Sequence, residues 1–222
     1  MSKTVVLGAC LAVSVSLMWG QEETPDRRLR HSADVLQEVM SAPDKGIPRD
    51  LLRRAQCVIV IPGMKKGAFV FGADYGRGFA VCRTGAGWGA PAAVRIGGGS
   101  FGAQIGLDST DVVMLVMNQR GMNHLAADKF TIGGDATAAA GPVGRTAAAD
   151  TDASLHAEIL SYSRTRGAFA GIALDGTVIT ADHSEDRKLY GHEVSNRAII
   201  HGEVRPPEAG DPVASVLDQY SR

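Results

Sequence analysis

The sequence predicts an α+β fold: a mostly antiparallel sheet or partly closed β-barrel, with short helices packed at the N- and C-terminal ends. Three observations carry that expectation. Glycine makes up 27 of the 222 residues, well above the about 7% of average usage. It punctuates Val/Ile/Phe runs without a Gly-X-Y period, as short strands joined by tight turns require. Helical periodicity is confined to the two ends, and the middle lacks the regular strand–helix alternation of a parallel sheet.

The first element reads as a targeting segment. Lys3 precedes an uncharged apolar run from Val5 to Trp19, followed by Gln21-Glu22-Glu23. The run is shorter than the about 20 residues of a membrane span and suits a signal-peptide core. Residues 1–20 are therefore expected to be a signal peptide or an N-terminal anchor, with the product exported to the periplasm or a membrane. Cleavage after Gly20 would leave Met18 at −3, where a small residue is preferred. Leu7-Gly8-Ala9-Cys10 is a weak lipoprotein box, because the apolar run continues past Cys10.

No linker follows, so 25–222 reads as one domain. Thr24-Pro25 starts a helix with Leu29, Ala33, Leu36 and Met40 on one face, ending at Pro43. Arg27, Arg28 and Arg30 crowd its first turns, against the helix dipole, so another constraint acts there. The apolar face of 25–43 can pack on the sheet or insert into a membrane. Pro48 to Ala55 suits a second short helix. Strands are expected at Cys57–Ile61, Ala68–Ala73, Phe79–Arg83, Ala92–Ile96, Phe101–Leu107, Val112–Met117, Phe130–Ile132 and Glu158–Ser163. Phe169–Leu174 and Thr177–Ala181 flank Asp175-Gly176, a hairpin signal. Helices are expected at Gln119–Asp128, from Ser184 to Tyr190, and from Asp211-Pro212 with Val213, Val216, Leu217 and Tyr220 on one face.

The formal charge of -1 excludes a generally basic nucleic-acid binder, but it conceals a basic sector. Residues 51–110 carry seven Lys/Arg against Asp74 and Asp108. One positive face would suit an anionic surface; arginines flanking strands as edge charges are the alternative. Of the three cysteines, Cys10 lies in the leader, and no Cys-x-x-Cys supports zinc or redox chemistry. Cys57 and Cys82 could pair after export, but small buried core residues are the favoured reading.

Two motif matches imitate catalytic loops. Gly97-Gly98-Gly99-Ser100-Phe101-Gly102 contains both G-x-G-x-x-G and G-x-S-x-G, each of which needs a helix immediately after it. The next residues, Ala103 to Asp108, read instead as a glycine-interrupted strand. Nucleotide binding and serine hydrolysis through Ser100 are both disfavoured. No His-Glu-x-x-His or other metal-ligand spacing occurs. His183, Glu185, Asp186 and His192 read as a solvated, charge-mixed helix. The chain is expected not to be an enzyme, and no cofactor or metal is predicted.

Eight strings in order carry a resemblance. They are Ala55–Pro62, Lys66–Gly72, Gly87–Ala92, Gly102–Gly106 with Thr110–Val113, Ala140–Arg145, Ser161–Gly171 and Arg187–Gly191. Together, from about His31 to Ile200, they resemble the SYLF domain family. The resemblance implies a non-enzymatic module that binds phosphoinositides and other anionic lipids and, in fungal members, actin. Mapped onto matching positions, the implied lipid contacts are Lys65, Lys66, Arg164, Arg166, Arg187 and Lys188. Arg145 and Asp111 are read as structural partners in tight turns. No fused SH3 or FYVE module accompanies the domain, and the export signal puts actin and phosphoinositides in doubt. The expected partner is an anionic phospholipid surface; an envelope protein is the alternative.

Overall fold

The computed structural model describes residues 23–42, 46–69, 71–100, 108–143, 156–165, 168–208 and 210–222, with backbone alone at 66–69, 71–74, 99, 100 and 108. The leader with Cys10, the expected strand Phe101–Leu107, Arg145 and Arg166 lie outside the described residues.

Ten strands form one sheet. In chain order they are β1 Cys57–Phe69, β2 Phe71–Thr84, β3 Gly87–Trp88, β4 Ala92–Ser100, β5 Asp108–Val116, β6 Lys129–Thr131, β7 Ala138–Ala140, β8 Ile159–Thr165, β9 Ala168–Gly171 and β10 Val178–Ala181. The spatial order is β6-β10-β4-β2-β1-β5-β8-β7, with β3 beside β2 and β9 beside β8. All pairs are antiparallel except β7–β8. Six helices accompany the strands among the described residues: α1 Pro25–Ser41, α2 Arg49–Arg54, α3 Gln119–Ala126, α4 His183–Tyr190, α5 Asn196–Ile200 and α6 Pro212–Tyr220.

Connection lengths show that the sheet curls. From β9 to β10 the sheet spans six strand spacings, about 29 Å if flat. Residues 172–177 that join them reach at most about 25 Å. Residues 132–137, from β6 to β7, face the same shortfall across a wider gap. The edges must therefore approach one another. The two crossing connections are stitched together: Ile132 N–H donates to the Thr177 carbonyl and Gly176 N–H to the Ile132 carbonyl, both at 2.8 Å. Ile132, Ala136 and Leu174 pack on the face carrying Ile59, Ile61, Val94, Ile96 and Met114, so that face is concave. α3 and α5 close it with Met122, Leu125, Ile199 and Ile200. The expected half-closed barrel with terminal helices is the observed architecture.

The convex face holds Val58, Val60, Phe79, Val81, Val113, Leu115 and Tyr162 beneath α1, α2 and α6. Because both faces are covered at this end, Cys57 to Pro62 is buried without a break. That is why the strands read as continuous apolar runs rather than alternating ones. Leu29, Ala33, Leu36 and Met40 all lie in this layer, so the apolar face of α1 packs on the sheet. Gln37 ties it to α6 by donating to the Tyr220 hydroxyl at 2.7 Å. Gly141 backs the Tyr162 ring so closely that an added Cβ would sit 2.1 Å from it, while Phe169 stacks on the ring with centroids 5.5 Å apart.

Several expectations are corrected. Ala68–Ala73 is not a strand of its own: Phe69 and Phe71 are register partners, so the chain reverses between them and β1–β2 form one long hairpin. Gly63, at φ 59°, shifts the register near its middle, and its N–H donates to Asp111 Oδ1 at 2.8 Å. Asp111 thus works as a structural partner, but from inside β5 rather than from a turn. Asp175-Gly176 does form a turn, with Gly176 at φ 80°, but not a hairpin. β9 pairs β8 at one edge while β10 inserts between β4 and β6 at the other, because local turn chemistry yields to the wider ladder. Cys57 and Cys82 face each other across β1–β2 and are disulfide-bonded rather than free core thiols. Thr24 precedes α1 without a side-chain cap. Asn118, Asp182, Ser195 and Asp211 do cap the helices they precede.

Candidate functional site: a cationic face on the sheet

β1 and β2 extend beyond the cover of α1, and side-chain alternation carries the convex face with them. Arg77 follows the parity of Phe79, and Arg95 that of Ala93. The register places Arg77 opposite Arg95, Arg95 opposite Thr180 and Thr180 opposite Lys129. These four form one row across β2, β4, β10 and β6. The adjacent row reads Ser109, Lys65, Tyr75, Gly97 and Val178. Cross-strand partners project to the same side, so Lys65, Arg77 and Arg95 flank Tyr75, and Lys129 ends the row three strands away on β6. Gly97 has no side chain to cover that ring. Tyr75 is 51% exposed and is the one large exposed hydrophobic residue among the described residues.

Two guanidinium groups directly opposite each other repel. The offset comes from Asp182, 1% exposed, whose Oδ2 lies 3.1 Å from Arg77 Nε and 3.6 Å from Arg95 Nε. Asp182 opens α4, which brings two further carboxylates underneath. Glu185 pairs with Arg28 of α1, lies 3.9 Å from Arg77 Nη1 and takes Lys188 Nζ at 3.7 Å. Arg28 also donates to the Glu23 carbonyl at 2.9 Å. For Arg28, the constraint behind the basic first turns of α1 is therefore an internal ion pair. Asp186 receives the Ala93 N–H at 2.8 Å on Oδ1, and its buried Oδ2 has no hydrogen-bond partner among the described residues. Burial pushes the Asp186 carboxyl up to about 7, with Asp182 and Glu185 adding to the rise and the Ala93 N–H opposing it. The solvated helix expected at 184–190 is thus corrected: Glu185 and Asp186 are buried against the sheet and α1.

Lys65, exposed, stands on the cationic face. Lys66 follows in β1, in register with Asp74 and Asp108. Arg164 is on the same convex face but engaged: Nε and Nη2 donate to Asp111 Oδ2 at 2.9 and 2.7 Å, and Nη1 pairs with Glu38 of α1. Arg187 pairs with Glu193, and Lys188 reaches Glu185. Both lie toward the start of β4, where the Tyr190 hydroxyl donates to the Pro91 carbonyl at 2.7 Å. There Lys188 lines an open groove of about 850 Å³ whose wall mixes Arg205 with Asp26, Glu203 and Glu208. The structure brings Lys65 together with Arg77, Arg95 and Tyr75, links Lys188 to Arg77 through Glu185, and leaves Arg187 apart. Arg77 and Arg95 were legible as charge in 51–110. Their alignment in one row with Lys129, over thirty residues downstream, needed the register of β10.

Gly97–Ser100 are paired residues of β4, opposite Tyr75, Asp74, Ala73 and Gly72. The strand runs through Gly97–Gly99, where a dinucleotide-binding loop would have to turn, and the residues after Ser100 lie outside the described residues.

Residues 97–220 match the family model Ysc84, described as Las17-binding protein actin regulator. LAS seventeen-binding protein 3 of Saccharomyces cerevisiae is 35% identical over 179 residues, which cover 79% of this chain and 39% of the relative. Protein YSC84 of the same yeast is 32% identical, covering 79% and 38%. The SH3 domain-containing YSC84-like protein 1 of Xenopus laevis is 32% identical over 200 residues, 86% of this chain and 59% of the relative. The chain thus spans about two fifths to three fifths of the length of these curated relatives. It belongs to the Ysc84 (SYLF) family.

Proposed function

We propose that this Ysc84-family domain is a non-catalytic module that docks on anionic, phosphoinositide-like phospholipid surfaces through the cationic face around Tyr75. One observation carries the reading: Lys65, Arg77 and Arg95 converge from three strands around an exposed, uncovered tyrosine, with Lys129 farther along the same face. Each cation near an anionic leaflet contributes about 1 kcal/mol, and a tyrosine ring suits the interface between headgroup and acyl chain. Insertion of α1 is not part of the proposal, since its apolar face is occupied by the sheet. Docking is expected through Lys65 and its neighbours, with Lys66 and Arg166 as further candidates and Arg164, Arg187 and Lys188 as secondary ones.

We also propose export, supported by the apolar leader and by the Cys57–Cys82 disulfide, which an oxidising compartment would maintain. A second reading takes the domain as a protein-interaction module. The relatives' names favour it, since they speak of Las17 binding and SH3 domains; actin or an envelope protein would then be the partner. Sedimentation with anionic and with neutral vesicles across a salt series separates the two. Salt-sensitive pelleting with anionic vesicles alone supports docking. Equal pelleting with both, or none with either, sinks it and leaves the protein-partner reading.

A further inference from the structure

We propose that Asp186 is a proton-sensing group that sets how strongly the cationic face meets an anionic surface. The inference rests on the docking reading above and adds its regulation. Geometry singles Asp186 out. Three carboxylates of the first turns of α4 are buried together, and two of them have cations. Asp182 is shared by Arg77 of β2 and Arg95 of β4, and Glu185 is held by Arg28 of α1, Arg77 and Lys188. Among the described residues, Asp186 receives its one hydrogen bond from the Ala93 N–H of β4, and it lies beside two like charges. Tyr190, on its own helix, is in turn influenced by both Asp186 and Asp211 at the start of α6.

With Asp186 neutral, four cations (Arg28, Arg77, Arg95, Lys188) face the carboxylates of Asp182 and Glu185 and, beside Arg28, that of Glu23. Ionising Asp186 adds a third buried negative charge beside Asp182 and Glu185, the two carboxylates that hold Arg77 and Arg95. It lowers the net positive charge of the cluster by one. Affinity for an anionic surface therefore rises as pH falls through the range where Asp186 takes up its proton, near 7.

The experiment is sedimentation of the full chain with phosphatidylglycerol-containing vesicles, at fixed salt, from about pH 5.5 to about pH 8.5. Wild type should bind about fivefold tighter at the acid end, the increment one elementary charge near an anionic leaflet supplies. Asp186→Asn keeps the acceptor for Ala93 and should bind at the acid level throughout. A pH response that survives in Asp186→Asn places the effect on another group and overturns the proposal. Binding that ignores pH in wild type overturns it while leaving docking intact. Absence of binding at every pH removes docking and the switch together. Urea unfolding of both proteins at the two pH extremes checks that the variant is folded; a variant unfolded in buffer would show that Asp186 serves the core and would overturn the sensor role.

Discussion

The two halves of the β1–β2 hairpin share two strands, offset in register near Gly63, but solve different problems. At the disulfide end, Val58, Val60, Phe79 and Val81 point into one helical layer and Cys57, Ile59, Ile61 and Cys82 into the concave core, so both faces are dry. Past Gly63 the same two strands leave the cover of α1 and present Lys65 and Tyr75 to solvent. One half holds the fold together and the other is free to meet a partner. Stability and docking should therefore be separable by substitution within a single hairpin.

The strongest way to break that separation is Phe79→Ala. It removes a large, fully buried ring from the convex layer and should cost about 3–5 kcal/mol in urea unfolding. Vesicle binding of the fraction that stays folded should be unchanged; a binding defect in the folded fraction would show the halves to be coupled. Next comes Cys57→Ser with Cys82→Ser, which opens a loop with a sequence separation of 25 residues and should cost about 2–4 kcal/mol. Unfolding with and without reductant should reproduce that loss in wild type and show none in the double variant.

Asp186 lies between the two regimes. Its carboxyl is raised in the folded protein, from 3.8 to about 7, so the folded state holds a proton that the unfolded chain has released. Its contribution to stability is full below about pH 4 and is lost as pH rises through about 7. Asp211, half-buried at the start of α6 and raised to about 6 by desolvation, adds a decline of the same sign over a narrower window. Asp186→Asn should flatten the part between about pH 6 and about pH 7.5 in a pH series of thermal melts; an unchanged slope there would place the titration elsewhere. The smallest stability effect belongs to Lys65→Glu with Tyr75→Ala, expected within about 0.5 kcal/mol of wild type because both positions are exposed. The same pair should lose about tenfold or more in binding to anionic vesicles at low salt. Unchanged binding would clear this face and shift attention to the groove beside Lys188.

The strand runs and terminal helices were legible because burial writes itself as apolar periodicity: α1, α3, α4 and α6 lie within a residue or two of their expected bounds. α5, β3 and β7 are too short to leave a period in the sequence. Asp175-Gly176 misled because a turn signal is local whereas strand pairing is not. The carboxylates of α4 misled in the opposite sense. Charged residues at helical spacing look solvated unless their counterions, here from α1, β2 and β4, are known to converge on them. The same gap explains the site: Lys65 could be nominated from a resembling string, but its neighbours in space, Tyr75, Arg77 and Arg95, come from two other strands and only the register assembles them.

The position of β10 sets an order of events during synthesis. The β1–β2 hairpin closes over a short stretch of chain, so it can form early, and β4 and β5 extend it on either side. The outer edge of β4, however, is completed only when Val178–Ala181 arrives, some eighty residues later. Until then a nascent chain carries an open, apolar strand edge of the kind that recruits other chains. Glycines and Arg95 on β4 make that edge a poor template for mispairing, so residues that serve the finished surface also guard the unfinished one.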